Sequence, residues 1–144
     1  MKIAIGCDHA GFELKEKLKT YIQSKGWEVI DFGTHSAERA DYPDFAHQVA
    51  TAVEEKQVNY GLLMCGSGNG INMAANKHKG IRSALCWTAE IAELARLHND
   101  ANILTLPARF IKEEEAKKCV EIFYNTAFEG GRHPDRVNKI SQGC

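Results

Sequence analysis

Tyr60-Gly61-Leu62-Leu63-Met64-Cys65, followed by Gly66-Ser67-Gly68-Asn69-Gly70, reads as a buried strand that runs into a glycine-rich turn and then a helical pattern over about 70–78. A short continuous apolar run closed by turn residues marks a strand covered on both faces. The same unit recurs along the chain. Strand-like runs at about 2–6, 27–31, 81–86 and 102–106 alternate with helical periodicity at about 11–25, 43–56, 88–98 and 112–127. Such alternation predicts a parallel sheet with helices on both faces. The expected fold is a single-domain, three-layer αβα sandwich over residues 1–144, with a Rossmann-like five-stranded parallel sheet and a C-terminal helical extension. A strand order of 2-1-3-4-5 sets strands one and three side by side, so their following loops share one crevice.

The helical patterns carry their own faces and stops. Leu14, Leu18, Tyr21 and Ile22 line the first, which ends near Gly26, a residue suited to the left-handed position after a helix. Phe45, Val49, Ala52 and Val53 line the second, with Pro43 in its first turn. The last long helix presents Ala116, Cys119, Val120, Phe123 and Ala127, and Pro107 marks the exit from the last strand. The 144 residues match one domain, with 44% hydrophobic and 26% charged content. A net charge of -1 gives no general attraction to nucleic acid or to an anionic membrane, so any affinity for anions is local. Met1-Lys2-Ile3-Ala4-Ile5-Gly6 runs directly into a strand pattern without a long apolar segment, which reads as a cytoplasmic protein. Cys7, Cys65, Cys86, Cys119 and Cys144 form an odd set without a C-x-x-C pair, indicating neither a disulfide framework nor a zinc site.

Several loops carry chemistry. Cys65 places a thiol beside glycines whose N–H groups can converge on a phosphate or an oxyanion; the plainer reading is a small core residue before a turn. Cys7-Asp8-His9-Ala10-Gly11 brings an acid and an imidazole to the same crevice, or simply caps the first helix. His98, with Asn99 beside it, ends the fourth helix, where a histidine serves as acid or base or merely answers the helix dipole. Arg132 and Arg136 stand four residues apart beside Pro134, with helical spacing that lets both point one way, and Arg109 follows the fifth strand. Guanidinium groups suit a phosphate, and solvated surface charge is the alternative.

Taken together, Gly6-Cys-Asp-His-Ala-Gly11, Gly33-Thr34, Asp41-Tyr42-Pro43, the Cys65–Gly70 loop, Ala74-Ala-Asn-Lys77, Gly80-Ile-Arg82, His98-Asn-Asp100 and Glu129-Gly-Gly-Arg-His133 with Arg136 resemble the type B ribose-5-phosphate isomerases and their relatives acting on allose and galactose 6-phosphates. The resemblance runs from Met1 to about Ile140. It implies an aldose-ketose isomerase of the pentose phosphate pathway, in which Cys65 takes the C2 proton to form a cis-enediolate. The N–H groups of Gly66, Ser67, Gly68, Asn69 and Gly70, with the Ser67 hydroxyl, then form the oxyanion site. His98 is implied in ring opening, with Asp8 or Tyr42 orienting the sugar or sharing the task. His9, Arg109, Arg132 and Arg136 are implied as phosphate ligands and Asn99 as a sugar contact. No metal and no cofactor are implied. The family shares its active site across a homodimer, and pairs of dimers are common. Some members use a glutamate further along the loop, but here Ile71-Asn72-Met73-Ala74 holds no carboxylate, which favours the thiol.

Other classes fit less well. A cysteine phosphatase of the C-x5-R type needs an arginine where this chain has Ile71. A Cys/His hydrolase pairing Cys65 with His98 lacks any sign of an amide site. A non-catalytic phosphate-binding module of the same fold stays open, as does the choice among ribose, allose and galactose phosphates.

Overall fold

The computed structural model describes residues 1–144. Eleven regular elements follow in order: β1 (Lys2–Cys7), α1 (Phe12–Ser24), β2 (Glu28–Asp31), α2 (Tyr42–Glu54), β3 (Tyr60–Cys65), α3 (Asn69–Ala75), β4 (Ser83–Leu85), α4 (Ala89–Asn99), β5 (Ile103–Pro107), α5 (Glu113–Asn125) and α6 (Pro134–Ile140). The alternation read from the sequence is therefore realised, including the short C-terminal helix. Ala127 is the exception among the expected core residues, because α5 ends at Asn125 and Ala127 lies exposed beyond it. No helix is long and apolar enough to cross a membrane.

All five strands are parallel, in the order β2-β1-β3-β5-β4. This corrects the expected 2-1-3-4-5. The cause lies in the side chains: Ile103-Leu104-Thr105-Leu106-Pro107 is buried throughout and needs neighbours on both sides, whereas Ser83-Ala84-Leu85 is short, half-buried and suited to an edge. Ser83 and Thr105 join hydroxyls across that last pair at 2.8 Å.

Alternate residues of each strand enter two separate cores. Ile3, Ile5, Leu62, Met64, Leu104 and Leu106 pack under α1, α4 and α5 through Leu18, Ile22, Ala92, Val120 and Phe123. Ala4, Leu63, Cys65 and Ile103 pack under α2 and α3 through Val49, Ala50, Val53, Ile71 and Ala75. Right-handed crossovers account for this division: α1 and α4 carry the chain one way across the sheet and α2 and α3 the other, so the two pairs fall on opposite faces. The helix after β3 thus lies on the opposite face from the helices after β1 and β5, and a crevice opens on either side of the end of β3.

The loop after β2 is fixed beside that end by a buried ion pair. Lys15, fully enclosed, places its ammonium 2.6 Å from an Asp31 carboxylate oxygen, and Lys19 approaches the same oxygen at 3.0 Å. The other Asp31 oxygen accepts the Gly33 N–H, and Gly33 and Thr34 in turn bond the backbone of Cys7. Burial opposes both charges, yet the hydrogen bonds from Lys15 and Lys19 outweigh it and hold the Asp31 carboxyl below its ordinary value. A carboxyl held low contributes stability that is present above its unfolded pKa and is lost as pH falls through the folded one. Asp31→Asn is accordingly expected to remove about 3 kcal/mol near neutral pH. In urea melts at falling pH, the gap between variant and wild type should close on the acid side.

Candidate active site

β1 and β3 pair with Cys7 beside Met64, so the two loops that leave them emerge together. In the first, Asp8 is buried and one of its carboxylate oxygens accepts the N–H groups of Ala10 at 2.9 Å and Gly11 at 3.2 Å. Asp8 thus caps, with one oxygen, the single 3-10 turn His9–Gly11 and not α1 itself, whose N-terminal cap is Gly11 without a side-chain bond; the other Asp8 oxygen makes no bond within the chain. Gly11 has no room for a side chain: a Cβ there would stand 2.7 Å from both Cγ and the carbonyl oxygen of Met64. His9 reaches sideways, its Nδ1 lying 3.3 Å from both the N–H and the carbonyl of Ala40 in the loop that leads to α2.

Cys65, only 5% exposed, ends β3. Of the other buried thiols, burial pushes those of Cys7, Cys86 and Cys119 up to about 12, so they stay protonated and chemically quiet. After Cys65 the backbone turns sharply. Gly68 has φ +78°, and a Cβ there would collide with Leu85, so the position needs glycine on both counts. The turn leaves the N–H groups of Gly66, Ser67, Gly68 and Gly70 without a backbone acceptor, while Asn69 N–H donates to the Ser67 hydroxyl at 3.2 Å. Four donors in five residues are thus left available to a negative oxygen.

Two further side chains close on this loop. Arg109 lies across Gly66, where a Cβ would be 3.1 Å from its Nη1, and the backbone bonds Ala108 N–H to Cys65 carbonyl and Arg109 N–H to Gly66 carbonyl bind the β3 and β5 loops together. The Tyr42 ring covers Gly70, where a Cβ would stand 2.5 Å from its Cζ. Asp8, His9, Tyr42, the Cys65–Gly70 loop and Arg109 are therefore assembled at the carboxyl end of the sheet. A thiol, an acid, an imidazole, a guanidinium and an array of amide donors can there hold an anionic oxygen compound and move a proton.

His98, Asn99, Arg132 and Arg136 are not part of that assembly. Helix α4 runs back against the strand direction, so His98 and Asn99 lie at the amino end of the sheet, a length of β5 away or roughly 16 Å. The segment before α6 joins them there: Glu129 N–H bonds the Leu97 carbonyl, and the His133 ring stacks on His98 with centroids 4.5 Å apart. Arg132 and Arg136 are exposed beside it, and only Arg136 is helical, because α6 begins at Pro134. The expected helical pairing of these two arginines is thus not formed. Glu129 and His133 had no role from sequence, since their approach to His98 depends on the fold.

Residues 3–140 match the family described as Ribose/Galactose Isomerase. The chain is 48% identical to ribose-5-phosphate isomerase B of Escherichia coli (strain K12) over 140 residues, covering 97% of this chain and 94% of that protein. It is 45% identical to a probable ribose-5-phosphate isomerase B of Mycoplasma pneumoniae, covering 96% of this chain and 91% of that protein. Among solved structures, that of a ribose 5-phosphate isomerase from Thermotoga maritima superposes with a TM-score of 0.97 at 51% identity, covering 98% of this chain and 97% of the other. Ribose-5-phosphate isomerase B from Mycoplasma genitalium with bound ribulose-5-phosphate superposes with a TM-score of 0.94 at 41% identity, covering 99% of this chain and 95% of the other.

The two crowded glycines differ in what they touch, and this is measurable. Gly11→Ala meets backbone and is expected to cost about 1–3 kcal/mol. Gly70→Ala meets an exposed ring that can swing aside and should cost less than about 1 kcal/mol. Thermal melts of the two variants check the contrast.

Proposed function

The chain belongs to the ribose/galactose isomerase family, and from that premise we propose that it interconverts D-ribose 5-phosphate and D-ribulose 5-phosphate through a cis-enediolate, with Cys65 as the base. The observation that carries the mechanism is the buried Cys65 thiol at the head of a loop whose N–H groups at Gly66, Ser67, Gly68 and Gly70 have no backbone acceptor. As a thiolate, Cys65 takes the proton from C2 of the open-chain aldose. The electron pair released forms the C1–C2 double bond, and the former carbonyl oxygen on C1 becomes the oxyanion that the amide donors receive. One such donor is typically worth ~2.7–4 kcal/mol in the transition state. Return of the proton to C1, with transfer of the C2 hydroxyl proton to the C1 oxygen, gives the ketose. The Ser67 hydroxyl supports the same oxygen, Arg109 and His9 serve the phosphate, and Tyr42 and Asp8 orient the sugar hydroxyls.

The sugar ring must first open, a proton passing from the anomeric hydroxyl to the ring oxygen, and His98 is suited to carry it. His98 lies at the other end of the molecule from Cys65 in one chain, which supports a homodimer in which the His98, Asn99, Arg132 and Arg136 group of one protomer covers the Cys65 loop of its partner. A twofold axis then creates two equivalent sites. Apolar side chains around the carboxyl end favour such cover: Phe110, after β5, is 75% exposed and Trp87, after β4, is 53% exposed. In this reading residues 1–144 act as one isomerase domain in the cytoplasm, where five free cysteines are at home.

Because amide dipoles receive the enediolate, turnover is expected to persist in EDTA. Cys65→Ala should lower kcat by about 10²–10⁴-fold while leaving the fold intact, and iodoacetamide should inactivate the wild type in a manner that substrate prevents. A ketose-detecting assay on ribose 5-phosphate checks both; full activity after complete alkylation of Cys65 would contradict the thiol base.

A further inference from the structure

We propose that His98, Glu129 and His133 form a site for a borderline divalent metal ion of the zinc class, and that its occupation inhibits the isomerase reversibly. The three side chains offer Nε2, a carboxylate oxygen and Nε2, and one ligand atom from each lies within 4.8 Å of the other two. Glu129 Oε2 is 3.0 Å from His133 Nε2 and 3.8 Å from His98 Nε2. Zinc bonds of ~2.0–2.1 Å set tetrahedral ligand atoms about 3.3 Å apart, a separation these two distances bracket. Two imidazoles and a carboxylate supply three ligands and leave a fourth position for water.

The constellation is built by the backbone. Gly130 and Gly131 have φ +74° and +62°, and these consecutive left-handed residues reverse the chain so that His133 returns over Glu129. Glu129 N–H is bonded to the Leu97 carbonyl, one residue before His98, and His133 N–H to the Gly130 carbonyl. His133 is held between His98, at 4.5 Å and 21° between ring planes, and Phe128, at 6.5 Å. Its side chain is 9% exposed, while those of His98 and Glu129 are 41% and 55% exposed, so one ligand is fixed, and the exposed His98 ring must swing out of its stack on His133 to aim its lone pair at the same ion. At 3.8 Å the His98 nitrogen is beyond hydrogen-bond reach of Glu129, whereas His133 Nε2 is hydrogen-bonded to Glu129 at 3.0 Å, a contact that an entering ion replaces.

The binding claim stands on this geometry alone; the inhibition claim rests on the proposed part of His98 in ring opening. A nitrogen committed to a metal no longer exchanges a proton with the sugar. The test uses the full-length protein and cobalt(II) or zinc(II). Calorimetry and the visible d–d bands of cobalt should report one ion per chain, with affinity lowered more than about tenfold in Glu129→Gln and in His133→Asn. The same titration of Cys65→Ser should be unchanged, which separates this site from capture by the thiol. In the isomerase assay, zinc should inhibit the wild type, EDTA should restore it, and Glu129→Gln should resist. Absence of stoichiometric binding, or binding undiminished in both Glu129→Gln and His133→Asn, would overturn the site. Binding that behaves as stated while zinc leaves turnover unaffected would overturn the inhibition and count against His98 in the reaction.

Discussion

The position of β3 between two strands whose helices leave on the opposite face is the constraint on which the remainder of the structure depends. A parallel sheet with right-handed crossovers allows little choice of face once the strand order is set. The order β2-β1-β3-β5-β4 sends α3 one way and α1 and α5 the other. The end of β3 therefore carries its loop between the two helix layers, and the residue leading into it is Cys65. The N–H groups of Gly66, Ser67, Gly68 and Gly70 lack backbone acceptors because the chain there must turn from strand to helix within a few residues. Gly68, with its positive φ and its contact with Leu85, is the point where that turn becomes possible.

The neighbouring loops are held to the same place by independent means. Lys15 and Asp31 fix the segment after β2, which grips the backbone of Cys7 through Gly33 and Thr34. Ala108 and Arg109 are hydrogen-bonded to Cys65 and Gly66, and Tyr42 rests on Gly70. Such preorganisation suits the proposed enediolate, since donors fixed in place need not reorganise during the reaction. The opposite end of the molecule is organised around α4 and the Gly130–Gly131 reversal, which collects His98, Glu129 and His133. In the proposed reading the two groups are half-sites that face away from each other in one chain, and a twofold dimer would bring them together.

Much of this was legible in the sequence because the strands are continuous apolar runs: Ile3-Ala4-Ile5, Leu62-Leu63-Met64 and Ile103-Leu104 admit no other reading once turn residues bound them. The order of β4 and β5 departs from the simple 2-1-3-4-5 winding, and residue type carries the reason: Ser83-Ala84-Leu85 suits an edge, while Ile103, Leu104 and Leu106 suit the interior that the structure gives them. The loop glycines and Cys65 were readable from residue type. The remoteness of His98 follows from its place at the end of a helix that must return to the amino side of the sheet, an inference the local motif does not invite. The stacking of His133 on His98 and the burial of Lys15 against Asp31 depend on packing between distant segments, which no local pattern encodes.

Subunit complementation tests the split site most directly. Cys65→Ala and His98→Asn chains, distinguishable by tag and purified as mixed dimers after coexpression, should regain isomerase activity. A mixed dimer holds one site with both defects and one with neither, so the purified mixed dimers should reach about half of wild-type activity while each parent alone stays far below it. Mixed dimers no more active than their parents would place Cys65 and His98 in sites built from a single chain and contradict the account.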